Sequence, residues 1–213
     1  MEKINGITIP FYKFKGPDHL VTDILQDLQT KKFASEPNMD HGSVYDDYFH
    51  EELFQFFENS INQVKNIYFQ KNIEFPIIDC WVNKYGTMQK LRRHNHSNAV
   101  ICGCYYLTTH ENYGSTIWDI DNPWTQNNQG HNIVISNENE KFLSGEIYPE
   151  AGMLILFPAT LPHFMKTINK FKTTRYTIAF NTFPSGTLST HPSNKLVLNT
   201  QSVRDKVKLG LIK

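Results

Sequence analysis

His94 and His96 are the residues whose type and spacing first suggest chemistry in this sequence. They are separated by one residue, and residues two apart on a β-strand point to the same side and can reach one cation. Imidazole is a ligand of iron, zinc and copper in proteins. Because nine histidines occur in 213 residues, such a pair also arises by chance, and a metal site needs a third ligand. His163 is the candidate, since an apolar strand runs into a proline-bounded turn and His163 lies at the end of the next strand.

A second chemical group, the guanidinium of Arg175, lies in a segment with strand-like alternation. Arg175, Thr177 and Asn181 share one face, and the Tyr-Ile-Phe side chains between them share the other. Either the aromatic face lines the core and Arg175 is solvated, or the aromatic face is covered by other elements and Arg175 points into the interior. The second orientation requires an anion held bidentately, because a buried unpaired guanidinium destabilises a fold by several kcal/mol. A dicarboxylate co-substrate would supply that anion.

The elements that must position these groups change along the chain from helix to strand. Residues 17–32 and about 51–69 carry apolar side chains every three or four positions, which predicts two amphipathic helices. From Phe75 onward, short apolar segments are separated by Gly, Asn, Pro and Ser clusters, which predicts about six strands. These strands are PIIDCWVN, AVICGCYYL, STIWDI, NIVIS, MLILF and RYTIAFNTF.

Two of the predicted strands, 99–107 and 153–157, are apolar at both odd and even positions, so both of their faces should be buried. A sheet covered outside by the two helices and facing a second sheet inside satisfies this requirement. We therefore predict one domain over residues 1–213, mainly β with flanking helices. Residues 1–74 would form helical and edge-strand support, 75–183 the core, and 184–213 a C-terminal extension.

Composition limits the classes of partner. Lysine plus arginine and aspartate plus glutamate both number 21, so no overall charge favours nucleic acid or a membrane surface. The apolar stretches are too short to span a bilayer, and the first residues do not resemble a targeting signal. Three cysteines, Cys80, Cys102 and Cys104, argue against a disulfide scaffold. These features predict a cytoplasmic protein, and a homodimer is compatible with them.

Six motifs in order resemble those of the 2-oxoglutarate/Fe(II)-dependent oxygenases. They are W-x-N (Trp81, Asn83), H-x-H (His94, His96), G-x-Y-Y-L (from Gly103), P-x-x-G-x-L-x-x-F-P (from Pro149), a lone histidine (His163) and R-x-[ST] (Arg175, Thr177). The similarity covers roughly residues 80–183. It is greatest to a branch, common in marine bacteria and their phages, that carries H-x-H in place of H-x-[DE].

This resemblance implies a double-stranded β-helix, also called a jelly roll, with Fe(II) and 2-oxoglutarate as cofactors. It implies that His94 and His163 bind iron and that Arg175 and Thr177 bind the distal carboxylate of 2-oxoglutarate. Tyr106 occupies the position where related prolyl hydroxylases place a tyrosine hydroxyl on the same carboxylate, although it would also suit a core. Asn83 would contact the co-substrate or satisfy a backbone group. The implied activity is hydroxylation of a small-molecule or protein substrate by molecular oxygen, with release of succinate and CO2.

The sequence departs from the usual pattern at His96, where the 2-His-1-carboxylate triad has Asp or Glu. Either His96 is the third ligand, which its spacing favours, or a carboxylate from the following loop completes the shell. The candidate carboxylates are Glu111, Asp119 and Asp121.

Three other interpretations remain open. A cupin-like metal protein would use the same barrel, but residues 97–107 contain no glutamate or aspartate. A zinc site could combine the histidine pair with Cys102 and Cys104, although cysteines in so apolar a strand usually act as small hydrophobic residues. A catalytically silent jelly-roll binding module is the third.

Overall fold

A computed structural model describes residues 2–4, 7–9, 11–35, 42–86, 91–109, 116–120, 143–165, 174–188, 193 and 195–212 of the chain. The helices are α1 (Asp18–Leu28), α2 (Glu51–Tyr68) and α3 (Val203–Lys208). The first strands are β1 (Glu2–Ile4), β2 (Ile7–Ile9), β3 (Tyr12–Lys15), β4 (Ala34–Ser35), β5 (Ser43–Tyr45), β6 (Ile73–Glu74) and β7 (Ile77–Tyr85). They are followed by β8 (Ile101–Tyr106), β9 (Thr116–Ile120), β10 (Leu143–Ile147), β11 (Met153–Pro158), β12 (His163–Met165), β13 (Arg175–Thr182), β14 (Ser185–Leu188) and β15 (Leu196–Leu198).

Two antiparallel sheets carry the site. The larger has seven strands in the order β3-β11-β8-β13-β7-β5-β4, and the smaller has the order β10-β9-β12. Strand β13 pairs with both β7 and β8, so strands that are distant in sequence are neighbours in this sheet. Ile147 of the smaller sheet packs in one buried cluster with Tyr106, Ile155 and Phe157 of the larger. This arrangement is the predicted double-stranded β-helix.

The outer face of the larger sheet is covered by α1 and α2, as predicted. Their apolar residues form one buried cluster with those of the sheet, among them Leu20, Ile24, Leu53, Phe57, Leu154, Leu156, Ile178 and Phe180. The rings of Phe57 and Phe180 are 4.5 Å apart, and burying each such side chain contributes about 1.5–3 kcal/mol. Gly103 permits this packing, because a Cβ at that position would overlap the Phe180 ring.

The central strands are buried on both faces, as their continuous apolar patterns predict. In β11, Leu154 and Leu156 face the helices while Ile155 and Phe157 belong to the interior cluster between the sheets. Every residue of β8 except Cys104 is also buried. Apolar side chains therefore line most of the interior between the two sheets.

Several elements differ from the sequence-based expectation. The first helix is shorter than 17–32 and ends at Leu28. Where edge strands were expected, the N-terminal third places β3 at one edge of the larger sheet and β5 followed by β4 at the other. Strand β10 was not predicted, and the expected strand that carries His163 begins at this residue instead of ending there. The segment NIVIS lies outside the described residues. The tail contains α3, which begins with a capping box between Ser202 and Asp205.

Cys80, Cys102 and Cys104 are all free thiols. Among the helices that the structure describes, none combines the length and the apolar character needed to cross a bilayer.

Candidate metal and co-substrate site

The three candidate histidines are brought together by pairing between two segments distant in sequence. His94 and His163 form an antiparallel bridge, in which His94 N donates to His163 O at 3.0 Å and His163 N donates to His94 O at 2.9 Å. His96 N donates to Ala159 O at 2.9 Å. His94 therefore lies in a single bridge rather than in the longer strand that the H-x-H pattern predicted, and β12 begins at His163.

The ring geometry is compact enough for one cation. Centroids of the imidazole rings are 4.3 Å apart for His94 and His163, 5.2 Å for His96 and His163, and 5.3 Å for His94 and His96. One ligand nitrogen from each ring lies within 4.8 Å of the others. In the described part of the chain, this is the one cluster of histidine, cysteine or carboxylate groups with such spacing.

Hydrogen bonds orient all three rings in the same sense. The Nδ1 atoms of His94, His96 and His163 face oxygen acceptors, namely Arg92 O at 2.9 Å, Asn181 Oδ1 at 2.5 Å and Leu161 O at 3.1 Å. Since an oxygen acceptor requires a proton on Nδ1, the lone pair of each neutral ring is on Nε2. Metal-binding histidines in proteins commonly have such an oxygen partner on the second ring nitrogen.

Burial favours the neutral form of two of the three imidazoles, those of His96 and His163. His163 is 6% exposed, and burial, with smaller contributions from His94 and His96, lowers its pKa from 6.5 to about 3. Burial also lowers the pKa of His96, against the effect of its hydrogen bond to Asn181. Neutral imidazole is the form that binds a metal.

This cluster fits a divalent transition metal. Nε2 of His96 is buried and has no hydrogen-bond partner among the described residues, which is costly for a polar atom unless a ligand occupies the position. Of the three carboxylates considered as alternative ligands, Glu111 and Asp121 lie outside the described residues. Asp119 lies in β9, but its side chain is outside the described part of the structure as well.

Arg175 lies at the start of β13 and points into the barrel. It is only 4% exposed, its Nη2 donates to Thr116 Oγ1 at 3.3 Å, and its guanidinium carbon is 5.6 Å from the centre of the Tyr106 ring. On the opposite face of the strand, Ile178 and Phe180 pack against the helices. Of the two orientations open from the sequence, the inward one is therefore observed.

One cavity connects the histidines with Arg175. The residues that the resemblance assigns to iron or the co-substrate, together with His96, all line it: Asn83, His94, His96, Tyr106, His163, Arg175 and Thr177. Other side chains in its wall are Trp81, Tyr85, Leu91, Cys104, Thr116, Phe157 and Met165. Asn83 Nδ2 donates to Thr177 Oγ1 at 3.4 Å, and the Tyr106 hydroxyl is 3.0 Å from Thr116 Oγ1.

Two polar groups of this region were not recognised as part of a site from the sequence. Thr116 contacts both Arg175 and Tyr106, but only the pairing of the smaller sheet brings it there. Asn181 holds His96, and the alternation that put it on the face of Arg175 and Thr177 was the available signal. Its partner Asp79 lies opposite it on β7.

Comparisons with known proteins agree with this geometry. Residues 79–181 match the model of a family described as "Putative 2OG-Fe(II) oxygenase". No curated protein sequence is significantly similar to the chain.

Solved structures share the fold at low sequence identity. A Pseudomonas putida prolyl-4-hydroxylase has a TM-score of 0.55 at 13% identity, covering 82% of this chain and 93% of that one. HygX from Streptomyces hygroscopicus, solved with nickel and 2-oxoglutarate, has a TM-score of 0.59 at 12% identity, covering 83% and 84%. The carbocyclase SnoK from nogalamycin biosynthesis has a TM-score of 0.61 at 8% identity, covering 91% and 89%.

The segment that matches the family model extends over both sheets and includes every residue of the histidine cluster as well as Arg175. Sequence family and fold therefore agree over this segment, so residues 79–181 are similar to the 2OG-Fe(II) oxygenases, oxidoreductases whose cofactors are Fe(II) and 2-oxoglutarate.

Proposed function

We propose that the protein is a hydroxylase in which His94, His96 and His163 bind Fe(II), and Arg175 and Thr177 bind the distal carboxylate of 2-oxoglutarate. The observation that carries this proposal is that a buried arginine and three buried or half-buried imidazoles line one cavity. Proteins bind carboxylates bidentately with arginine and transition metals with imidazole. A dicarboxylate in this cavity could therefore contact Arg175 with one end and the bound metal with the other.

The other polar residues of the cavity have supporting roles in this proposal. The Tyr106 hydroxyl and Thr116 Oγ1 are within 3.0 Å, and Thr116 also accepts from Arg175, so they orient the guanidinium or share the carboxylate. Asn83 donates to the Thr177 hydroxyl, which leaves the proton of that hydroxyl available for an anion. Phe157 and Met165 exclude water from the interior.

Bound Fe(II) would supply the site where oxygen is reduced and 2-oxoglutarate is oxidised. The overall reaction converts 2-oxoglutarate, O2 and a C–H substrate to succinate, CO2 and the C–OH product. One oxygen atom enters succinate and the other enters the product. Two electrons come from the decarboxylated co-substrate and two from the C–H bond.

The test is turnover with heavy-isotope O2. Purified protein with Fe(II), 2-oxoglutarate and labelled O2 should release succinate carrying one labelled atom, slowly even without substrate, and zinc or cobalt in place of iron should stop it. Addition of a cell extract should yield a product that gains one labelled oxygen. Absence of labelled succinate from protein with iron demonstrably bound would contradict the proposal and favour the silent binding module.

A further inference from the structure

Among the three histidines, His96 is the one whose Nδ1 is shown hydrogen-bonded to a side chain. The Nδ1 atoms of His94 and His163 face backbone carbonyls, which can only accept a hydrogen bond. His96 Nδ1 faces the carboxamide of Asn181, which has an acceptor end and a donor end. The position of the proton on His96 therefore depends on which end of the Asn181 amide points towards it.

Asp79 determines that orientation. Strands β7 and β13 pair so that Asp79 lies opposite Asn181, and Asp79 Oδ1 accepts from the backbone N of Asn181 at 3.0 Å. Asp79 Oδ2 accepts from Asn181 Nδ2 at 3.3 Å. Because an ionised carboxylate can only accept, the NH2 end must face Asp79 and the Oδ1 end must face His96. Cys102 Sγ, 3.1 Å from the same Oδ1, favours the same orientation.

We infer that Asp79 and Asn181 are positioning residues that hold His96 in its Nδ1–H tautomer and so reserve Nε2 for the metal. The inference rests on the proposed metal-binding role of His96. It is supported by a separate observation, since Nε2 of His96 is buried without a hydrogen-bond partner in the described part of the chain. The aspartate or glutamate of the usual pattern has no tautomers, so it can bind a metal whatever its neighbours are. A histidine at position 96 binds through Nε2 only when its neighbours keep the proton on Nδ1.

The substitution Asp79→Asn tests the inference with almost no change in shape. The backbone N of Asn181 still needs an acceptor, so the new NH2 group would face Asn181 Nδ2, and two donors would oppose each other. Rotation of the Asn181 amide relieves this conflict and turns its NH2 group towards His96 Nδ1, which favours the Nε2–H tautomer. We expect long-range proton–nitrogen NMR of the metal-free protein to show the reversed tautomer. Calorimetry should show zinc affinity reduced by about 10–100-fold, the usual effect of altering a partner of a metal ligand.

The exchange variant Asp79→Asn/Asn181→Asp is the rescue. It again presents an acceptor oxygen to His96 while the amide at position 79 donates to the new carboxylate, so the Nδ1–H tautomer and zinc affinity should return. Asp47→Asn is the matched control, because the exposed Asp47 carboxylate acts on Asp79 only through its charge. This control should leave tautomer and affinity unchanged.

The outcomes separate the inference from the proposed function. An Asp79→Asn protein that keeps the Nδ1–H tautomer and normal zinc affinity would overturn the inference. If Asp79→Asn does not fold, the exchange variant alone tests the inference. In that case, loss of the Nδ1–H tautomer of His96 in the exchange variant would overturn the inference. Wild-type protein that binds no zinc, with the tautomer still changing as described, would overturn the metal site but uphold tautomer control by Asp79.

Discussion

Individual residues of the cavity combine two opposite electrostatic requirements. Burial favours uncharged imidazole in His96 and His163, which prepares them to bind a cation. The guanidinium of Arg175 carries a permanent positive charge in the same cavity and is suited to an anion. A metal ion and a dicarboxylate that contact each other would satisfy both requirements together, so each should strengthen binding of the other.

Replacing Arg175 with alanine should abolish measurable 2-oxoglutarate binding without unfolding the protein. Loss of a bidentate, charge-assisted contact of about 2 kcal/mol or more corresponds to at least about thirtyfold weaker binding. Calorimetric titration of zinc-loaded protein measures this effect. Thr177→Ala should weaken binding less, since a neutral hydroxyl contributes about 0.5–1.5 kcal/mol.

The matched control for Arg175 is Arg204→Ala. Arg204 bonds Glu51 and Glu58 of α2 at 2.7 Å and does not line the cavity, so its loss should leave 2-oxoglutarate affinity unchanged. Equal binding by wild type and Arg175→Ala would show that the co-substrate is held elsewhere.

Replacing His96 with alanine should remove most of the metal affinity. The three-histidine cluster needs no further ligand from the chain, whereas Glu111, Asp119 or Asp121 would have to displace His96 as a ligand. Alanine at each carboxylate should leave affinity within about tenfold, the lower range for residues that only support a ligand. Competition with a zinc indicator dye measures both. A large loss for one carboxylate variant, with His96→Ala unaffected, would assign the third ligand to that carboxylate.

At the scale of elements, the contact between Gly103 of β8 and Phe180 of β13 sets how closely the sheet packs on α2. Gly103→Ala would drive a methyl group into the Phe180 ring, which itself packs on Phe57. We expect a loss of about 1–3 kcal/mol in the free energy of unfolding, as for other overpacked cores. Urea denaturation of the metal-free protein measures this loss.

A double-mutant cycle identifies the cause of that loss. Phe180→Leu removes the ring that the methyl group would overlap, so Gly103→Ala should be less destabilising in the Phe180→Leu background than in wild type. If Gly103→Ala lowers the free energy of unfolding equally in both backgrounds, the backbone conformation and not the Phe180 ring requires glycine at position 103.

The elements also show why some of the fold was readable from sequence. The helices α1 and α2 and the buried strands β8 and β11 follow from local periodicity, because the pattern itself records which faces are covered. The inward direction of Arg175 was left open, since alternation shows that two faces differ and not which one meets the helices. Thr116 and Asp79 reach the site through cross-strand register, which depends on partners far along the chain. Local sequence does not carry that register.

At the scale of the whole molecule, the proposed metal site joins segments that only the complete fold brings together. His94 and His96 precede β8, His163 begins β12, and the bridge between them exists only when the smaller sheet has formed. The unfolded chain cannot present the three ligands together. Metal binding at this site would therefore be linked to folding of the entire barrel.

Zinc should consequently raise the melting temperature of the metal-free protein. At a free concentration of one hundred times the dissociation constant, a ligand specific for the folded state adds about 2.7 kcal/mol. For a chain of this size, each kcal/mol shifts the midpoint by about 2–4 °C, so the expected increase is about 5–11 °C. Differential scanning calorimetry at fixed zinc measures it. His96→Ala should lose most of the increase at the same zinc concentration, while His19→Ala should keep it, because His19 is an exposed residue bonded to Glu52 at 2.9 Å. An equal increase in all three proteins would place the stabilising zinc outside the histidine cluster.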